Sequence, residues 1–387
     1  MKPKRRIIPI FIPNEGCKHE CVFCDQRRIT GTGTPVSASD ISRLISAAIS
    51  VADAKGAVDA ADASPAVKDA AYTMRAADAS PAAKDAAYTM RAADTSPEIA
   101  FYGGSFTALT EERQEELLHA AQEFLADNRC SSIRVSTRPD CVDAPAVERL
   151  KKHGVRTVEL GAQSMSDDVL EASGRGHTAA DVAKASAVIK AAGLSLILQM
   201  MTGLPGDSRE KAVETARQFV GLKPDGVRIY PAVVVLGTEL YEMWRRGEYE
   251  EHKLEDAISI CADLCLIFEE ASIPVIRLGL NPSDELSAGG AAAGAYHPAL
   301  GELVYSRMYY NSTAALLRGV APGSEVTVTV AKGRKSMMTG AHRENLRKLL
   351  SDFSLKSIKV VEQTVEPAEE PAVKTAAHAP LLIDRRT

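Results

Sequence analysis

The sequence has no apolar stretch long enough to cross a membrane and no marked excess of charge of either sign. Its N-terminal apolar run, residues 7–12, is interrupted by Pro9 and is too short for a secretion signal. A net charge of -5 over 387 residues gives no overall sign of a nucleic-acid binder, although local basic patches remain open. With ordinary apolar content, the chain is predicted to be a globular, cytoplasmic protein without a membrane partner.

Cysteine is scarce, and three of the seven cysteines fall within one short stretch, "GCKHECVFCDQ". Thiols stay reduced in the cytosol, so this group indicates metal or redox ligands rather than disulfides. The spacing of Cys17, Cys21 and Cys24 suits a cubane iron–sulfur cluster, in which three protein thiolates leave one iron open to another molecule. The alternative is a zinc site with His19 as fourth ligand, but His19 lies between two of the cysteines and no distant ligand pair has suitable spacing.

The other four cysteines equal in number the ligands of an auxiliary cluster. In "CADLC", Cys261 and Cys265 lie on one face of an apolar helical pattern, and Cys130 ends a predicted helix away from the predicted active-site mouth. Unpaired cysteines are commonly buried. We therefore do not expect these cysteines, or Cys141, to hold a second cluster.

Apolar runs rich in Ile, Val and Tyr alternate along the chain with amphipathic helical patterns. The runs lie at residues 7–12, 98–102, 133–137, 155–161, 194–201 and 226–233. This alternation predicts an α/β protein with a parallel sheet, either doubly wound or curled into a barrel or partial barrel. In both folds the active site lies at the carboxyl ends of the strands. The motifs found there are the three cysteines, GGSFT, STRPD, GAQS, TGLPGD and RIYP.

One connection carries an internal repeat, in which "AADASPAVKDAAYTMR" at 60–75 recurs as "AADASPAAKDAAYTMR" at 76–91. The copies are too few and too rich in alanine for a repeat architecture, so residues 56–97 are predicted to be an insert of short exposed helices without a function of their own. The predicted organisation is a core over 1–275, a C-terminal α+β extension over 276–362 and an acidic, Pro- and Ala-rich tail over 363–387 that is expected to be disordered.

Taken together, these motifs resemble the radical S-adenosylmethionine (SAM) superfamily, whose hallmark is CxxxCxxC after the first strand of a partial (β/α)6 barrel. The strings "FYGGSFTAL", "VELGAQS", "GRGHT" and "MTGLPGD" resemble the branch that contains the Elongator catalytic subunit. The resemblance implies a radical SAM enzyme with a [4Fe-4S] cluster whose open iron binds SAM. It also implies an external one-electron donor of the flavodoxin or ferredoxin type, since one electron cleaves SAM to methionine and a 5′-deoxyadenosyl radical.

The same resemblance implies roles for particular residues. The cluster ligands would be Cys17, Cys21 and Cys24. The cofactor-binding residues would be Phe23 near the adenine, Gly103, Gly104 and Ser105 at the amino group, and Ser136, Gln163 and Arg175 at the ribose and carboxylate. The planar fork of an arginine suits a carboxylate because it can bind both oxygens. Two alternatives stay open, an exposed loop arginine at position 175 and a purely structural glutamine at position 163.

The C-terminal extension bears on the substrate. Its basic residues over 332–348, set against the single acid Glu344, are Lys332, Arg334, Lys335, Arg343, Arg347 and Lys348. Such a stretch is typical of an RNA-backbone site or of a solvated helix face. Together with the branch resemblance it predicts RNA, in particular tRNA, as substrate. The alternatives are a small metabolite or tetrapyrrole near Tyr296 and His297, and a non-catalytic iron–sulfur module. The residues "GAYHP" can equally form a structural turn.

Two departures from the relatives limit the functional prediction. After residue 275 the chain leaves no room for the acetyltransferase domain of the Elongator subunit, so wobble-uridine carboxymethylation by that route is not expected. Gln26 stands two positions past the third cysteine, where coproporphyrinogen oxidase has a cysteine, which weighs against a tetrapyrrole.

Overall fold

The computed structural model describes residues 7–17, 19–26, 29, 36–53, 96–283, 286–363 and 382–386. Its main sheet contains seven parallel strands. Their order is β1 (Ile7–Phe11), β2 (Glu98–Tyr102), β3 (Ser132–Thr137), β4 (Val155–Gln163), β5 (Ser195–Thr202), β6 (Gly226–Pro231) and β8 (Val275–Leu278), while β7 (Val233–Val235) stands outside this sheet. Because β1 to β6 pair in sequence order, the carboxyl ends of all six strands meet at one edge.

Helices cover the outside of the sheet, which curls into a half-barrel. They are α1 (Ala38–Asp53), α2 (Glu111–Ala126), α3 (Ala144–Lys152), α4 (Asp167–Ala172), α5 (Ala179–Ala191), α6 (Arg209–Leu222), α7 (Glu239–Arg245), α8 (Leu254–Glu270) and α9 (Leu300–Leu317). This architecture confirms the predicted α/β partial barrel. All six predicted strands are present at the expected places.

Several of these helices begin at polar caps that the sequence displays. The Thr110 hydroxyl accepts a hydrogen bond from the amide of Arg113 at the start of α2. At the start of α5, Thr178 and Asp181 form a capping box in which each side chain accepts from the other's amide. Such caps satisfy amides that have no partner within the helix. They also fix the lengths of the loops that leave the carboxyl edge of the sheet.

The core continues past residue 275, where sequence composition placed a boundary. Strand β8 joins the sheet beside β6, with Val275 opposite Val227. Helix α9 packs on α8 and buries Leu300, Val304 and Met308 in the same apolar core as the barrel strands. The antiparallel pair of β7 and β9 (Ala291–Gly294) lies next to these elements in the chain.

The C-terminal part has its own three-stranded sheet, in the order β11 (Ser357–Gln363), β10 (Glu325–Ala331) and β12 (Leu382–Arg386). Two short helices, α10 (Lys335–Thr339) and α11 (Glu344–Asp352), contact this sheet. Alternate residues of β10 point inward, so Val326, Val328 and Val330 form a second core with apolar residues of α11. The predicted α+β extension is therefore confirmed.

The insert over 56–97 lies outside the described residues, apart from residues 96 and 97, and so does the tail from 364 to 381. Where the tail is described, the prediction of disorder is wrong. Residues 382–386 form β12, antiparallel to β10, with Leu382 opposite Thr329. Composition alone missed this strand because its hydrogen bonds go to β10, more than fifty residues earlier in the chain. Local sequence pattern does not reveal such non-local pairing. No helix of the described residues is long and apolar enough to span a bilayer.

Candidate active site

The loop that carries the cysteines leaves β1 and is fastened to the loop after β2 by main-chain hydrogen bonds. The amide of Asn14 donates to the carbonyl of Gly103 over 2.9 Å, and the amide of Ser105 donates to the carbonyl of Glu15 over 2.9 Å. Gly16, with φ of +75°, comes so close that a β-carbon there would lie 2.3 Å from the Ser105 carbonyl oxygen. The two loops therefore interlock at glycines, where no side chain intervenes.

Further along the loop, Val22 and Phe23 anchor the cysteines to the rest of the barrel. The amide of Val22 donates to the carbonyl of Ser173 over 3.1 Å, and its own carbonyl accepts from the amide of Leu240 over 2.7 Å. Phe23 packs against a small apolar cluster that includes Leu204. The ring of Phe23 thus supports the loop, and the adenine contact expected of it stays a prediction.

The three cysteines lie at this edge with different environments. Cys17 is exposed, whereas Cys21 and Cys24 are half-buried. Burial raises the pKa of Cys24 to about 12. Although the Cys17 residue as a whole is exposed, its thiol is partly shielded from water, and this shielding, together with the nearby Cys21, raises the pKa of Cys17. Since thiols must lose their protons to bind metal, iron binding here releases protons. The Cys24 sulfur also accepts a hydrogen bond from the Gln26 side-chain amide over 3.3 Å.

The sequence left two kinds of metal site open for these thiols, a mononuclear zinc site and a cubane iron–sulfur cluster. Within the described residues, no three His, Cys, Asp or Glu side chains converge on a point where one metal ion could be held. A mononuclear zinc needs such convergence, with each ligand about 2.0–2.3 Å from the ion. A cubane places each thiolate on a different iron, so its ligands do not converge on one point. Three cysteines on one loop form the kind of thiolate donor set that holds a cubane.

Arg175 lies directly beside the cysteines. Its side chain is only 6% exposed, so the alternative of an exposed loop arginine is wrong. The guanidinium donates through Nη1 to the Cys21 sulfur over 3.1 Å and through Nη2 to the carbonyl of Gly161. It also lies near the Phe23 ring, with Cζ 6.0 Å from the ring centroid. Arg175 therefore places a positive charge in direct contact with the cysteine loop.

Gln163 ends β4 next to this arginine, in a left-handed backbone conformation with φ of +67°. Its Oε1 and the Nε of Arg175 are both buried, and neither makes a hydrogen bond within the described residues. Buried polar atoms are normally paired, so an unpaired acceptor and an unpaired donor on two residues that both approach Gly161 indicate a site for a polar ligand. The groups fit the amino-acid part of SAM, which offers both a carboxylate and an ammonium.

Between them lies Gly161, where a β-carbon would be 3.0 Å from Nε2 of Gln163 and 3.4 Å from Nη2 of Arg175. The absence of a side chain at Gly161 lets these two polar groups approach each other.

The GGSFT motif presents main chain rather than side chains to this edge. Gly103 has φ of +88°, a conformation that favours glycine. Ser105 is fully buried, and its hydroxyl lies 3.1 Å from the Thr137 hydroxyl at the end of β3. The Ser105 side chain is therefore engaged by the protein, and any contact of this motif with SAM would come from the main chain, as the resemblance implies.

Ser136 belongs to a polar network inside the half-barrel. Its hydroxyl accepts from Nε2 of Gln199 over 3.3 Å, and the same amide nitrogen donates to Glu159 over 3.0 Å. Glu159 also accepts from Arg134 over 2.6 Å and from Arg228 over 2.9 Å. Burial alone would raise the pKa of Glu159, but Arg228 and Arg134 together lower it below its ordinary value. The carboxylate is thus held ionised and is a poor candidate for a general base.

Sequence patterns did not reveal this network, although a signal was present. Arg134, Glu159 and Arg228 each lie between two apolar residues of a core strand, a position where an unpaired charge would be costly. Charges at such positions indicate that each has a partner, but the sequence does not show which charges pair.

Tyr296 and His297 behave as parts of a turn. The Nδ1 of His297 accepts from the amide of Ala299 over 3.0 Å, and the Tyr296 hydroxyl lies 3.0 Å from the Ser287 hydroxyl.

The four cysteines outside the cysteine loop lie in the protein interior or partly so. Cys130, Cys261 and Cys265 are buried, while Cys141 is half-buried.

The architecture is an α/β half-barrel with three cysteines on the loop after the first strand. The family model described as the radical SAM superfamily matches residues 11–219, more than half of the chain, and a radical SAM C-terminal domain model matches residues 224–310. The chain belongs to the radical SAM superfamily. Enzymes of this superfamily use a [4Fe-4S] cluster and SAM, so the predicted family and cofactors are confirmed.

Two curated relatives are typical of those that the chain resembles. It is 32% identical over 231 residues to a tRNA uridine(34) acetyltransferase of Methanocaldococcus jannaschii, a match that covers 54% of this chain and 42% of the relative. It is 30% identical over 185 residues to Elongator complex protein 3 of Saccharomyces cerevisiae, covering 43% of this chain and 33% of the relative. The matched segments thus span less than half the length of these relatives.

A solved structure of archaeal Elp3 from Methanocaldococcus infernus, with an N-terminal deletion, superposes with a TM-score of 0.56 at 22% sequence identity. The superposition covers 86% of this chain and 72% of that one. It shows that the two proteins share the fold.

Proposed function

We propose that this chain binds a [4Fe-4S] cluster through Cys17, Cys21 and Cys24, and that it cleaves SAM at this cluster in order to modify RNA. The observation that carries the proposal is the contact of Arg175 with the Cys21 sulfur, next to the unpaired Oε1 of Gln163. One edge of the sheet thus holds the thiols and an unpaired donor and acceptor for an amino-acid group. The proposed site also takes in Phe23, Ser136 and the main chain of residues 103–105.

The cluster, when bound, supplies the electron that cleaves SAM to methionine and a 5′-deoxyadenosyl radical. The protein residues bind and orient. Arg175 would donate to the SAM carboxylate through its free Nε, because a guanidinium is always charged and matches a carboxylate in shape. Gln163 would accept from the SAM ammonium. The electron would come from an external flavodoxin or ferredoxin type of donor in the cytosol.

The proposal of tRNA as substrate rests on two supports. The curated relatives include proteins named for a tRNA uridine, and the C-terminal part of this chain carries exposed cations around α10 and α11. The exposed members are Lys332, Lys335, Arg343, Arg347 and Lys348, and Arg334 beside them is half-buried. Of these, Lys348 forms an ion pair with Glu344 over 2.8 Å, and the structure gives none of the others an acidic partner within its described residues. Unneutralised cations on one surface favour phosphate binding.

Two measurements test the proposal. After anaerobic reconstitution and reduction, the protein should convert SAM to 5′-deoxyadenosine, and the Cys24→Ala variant should not. A non-catalytic iron–sulfur module would show a reversible redox cycle without this nucleoside, and that result would refute the enzymatic proposal.

For the substrate, tRNA affinity should fall steeply with salt. Reversal of Lys332, Arg334 and Lys335 to Glu should lower the slope of log affinity against log salt by about one for each lost phosphate contact. A matched control reverses Lys152, Arg156 and Lys184, which are exposed elsewhere. Equal effects of the two reversals, or no tRNA binding at all, would favour a small-molecule substrate instead.

A further inference from the structure

Arg138, in the STRPD motif, is a buried arginine to which sequence reasoning gave no role. It follows β3 directly, and its side chain is 4% exposed. Its Nη2 donates to the main-chain carbonyl of Arg175, its Nε donates to Asp140 over 3.0 Å, and its amide donates to the Ser105 hydroxyl over 3.3 Å. This one residue therefore connects the loops that follow β2, β3 and the β4 region.

The carbonyl that Arg138 binds belongs to a segment with an unusual backbone. Arg175 stands between Gly174 and Gly176, whose φ angles are +63° and +66°. A β-carbon on Gly174 would lie 3.1 Å from the Glu20 carbonyl oxygen, and one on Gly176 would lie 2.6 Å from the His19 ring. The segment therefore fits against the cysteine loop only because it has no side chains at these two positions.

Two glycines also leave the intervening peptide groups free to rotate, since glycine adopts left- and right-handed conformations with similar ease. Contact with the cysteine loop restrains one side of the segment. On the other side the Arg138 guanidinium supplies a charged donor, which makes a stronger hydrogen bond than a neutral one. The direction of the Arg175 side chain depends on this backbone.

We propose that Arg138 is a positioning residue. It holds the carbonyl of Arg175 so that the Arg175 guanidinium points at the Cys21 sulfur and the SAM site, and it does not touch SAM itself. This inference rests on the proposed role of Arg175 in SAM binding. It predicts that loss of Arg138 acts through Arg175 and adds nothing once the Arg175 side chain is absent.

The first test needs no cofactor. Hydrogen–deuterium exchange of the apoprotein compares the wild type with Arg138→Met, which keeps side-chain length and removes the donors. Amides of residues 173–177 should exchange at least about tenfold faster in the variant, since a charge-assisted restraint has been removed. Arg149→Met is the matched control, because Arg149 is a half-buried arginine that pairs with Glu111 on neighbouring helices. Unchanged exchange in the segment, or equal acceleration by the control, would overturn the proposal.

The second test is a double-mutant cycle on SAM binding, read from the change that SAM causes in the electron paramagnetic resonance spectrum of the reduced cluster. Arg138→Met and Arg175→Met should each weaken SAM binding by about tenfold or more, and the double variant should bind no more weakly than Arg175→Met alone. Arg138→Lys, which restores one donor, should recover part of the loss.

The outcomes separate this inference from the proposed function. If the double variant loses SAM affinity by the product of the two single-variant factors, Arg138 acts independently of Arg175, and the inference is overturned. If Arg175→Met leaves SAM affinity unchanged, the proposed role of Arg175 fails, whereas the exchange result still decides whether Arg138 positions the segment.

Discussion

Gly104 and Glu15 are in such close contact that a β-carbon on Gly104 would lie 2.4 Å from the Glu15 carbonyl oxygen and 2.6 Å from that of Ile12. The glycine therefore serves the approach of one protein loop to another. The family resemblance assigns Gly104 to cofactor binding, and in the structure the space beside its α-carbon is filled by main chain of the cysteine loop. The position of the cysteines thus depends on a residue after the next strand.

Gly104→Ala is expected to displace the cysteine loop and to lower the free energy of unfolding by about 1–3 kcal/mol, the usual cost of overpacking. The obstacle is main chain, which cannot rotate away as a side chain can. Chemical denaturation of the apoprotein measures the change. Gly221→Ala in α6 is the control, because nothing lies within 4 Å of a β-carbon there. Equal stability of the two variants would contradict the steric argument.

Much of this edge could be predicted from the sequence because parallel strands buried on both faces produce long apolar runs. Residues that follow such runs must meet at one edge, which is how Cys21, Gln163 and Arg175 were placed together. Strand β8 was missed because "VIRL" is too short to stand out from its surroundings.

The contacts of Arg138 and Glu159 could not be predicted, for a different physical reason. Arg138 contacts residues of other loops and Glu159 contacts side chains of other strands, so both sets of contacts are set by strand register and curl rather than by local pattern. The same reason explains why the Ser105 hydroxyl was not recognised as a partner of Thr137.

The iron content of the reconstituted protein should depend on three cysteines only. We expect about four irons and four sulfides per chain, the composition of one cubane, and their loss when Cys17, Cys21 and Cys24 are all changed to Ala. The control changes Cys130, Cys261 and Cys265 to Ala, where iron content should be retained. One zinc without labile sulfide in the wild type would contradict the cluster assignment.

Gln163→Asn should weaken SAM binding by about tenfold, the effect of one lost hydrogen bond to a charged group, with little effect on folding. Asparagine tolerates the positive φ of this position as well as glutamine does, but its amide is one methylene shorter. Equilibrium binding to the reconstituted protein measures the change. Gln218→Asn, at a half-buried position of α6 where the side chain donates to Glu214, should bind SAM as the wild type does. Unchanged affinity in Gln163→Asn would favour the purely structural alternative.

Glu159→Gln should lower the free energy of unfolding by about 3–5 kcal/mol, because it removes the carboxylate with which buried Arg228 pairs, whereas Arg134 keeps its ion pair with Glu98. The folded-state pKa of Glu159 is lowered. Its stabilising contribution is therefore present above the ordinary pKa of 4.5 and is lost as the pH falls through the lower folded-state value. Glu116→Gln breaks an exposed ion pair and should change stability by less than about 1 kcal/mol. Similar losses in both variants would show that the buried network adds little.

His177 should make the stability of the apoprotein depend on pH in the mildly acidic range, below pH 6.5. The ring donates through Nε2 to the Ala162 carbonyl over 3.1 Å, and its Nδ1 is buried with no hydrogen-bond partner in the described part of the chain. Burial, reinforced by the positive charge of Arg175, lowers the pKa of His177 from 6.5 to about 4. The neutral ring therefore carries its proton on Nε2, which donates the hydrogen bond to the Ala162 carbonyl.

The sign follows from proton binding. Between pH 6.5 and about 4 the unfolded chain binds a proton at His177 that the folded chain does not, so the free energy of unfolding should decrease as the pH falls, by up to about 1.4 kcal/mol per pH unit. Denaturant titrations at several pH values measure this slope, and His177→Gln should reduce it. His119→Gln, at an exposed position of α2, is the control and should keep the wild-type slope. Asp207, whose pKa burial raises to about 6, acts in the opposite direction but equally in all three proteins, so it cancels from the comparison. A His177→Gln slope equal to that of the wild type would show that the histidine is not the group responsible.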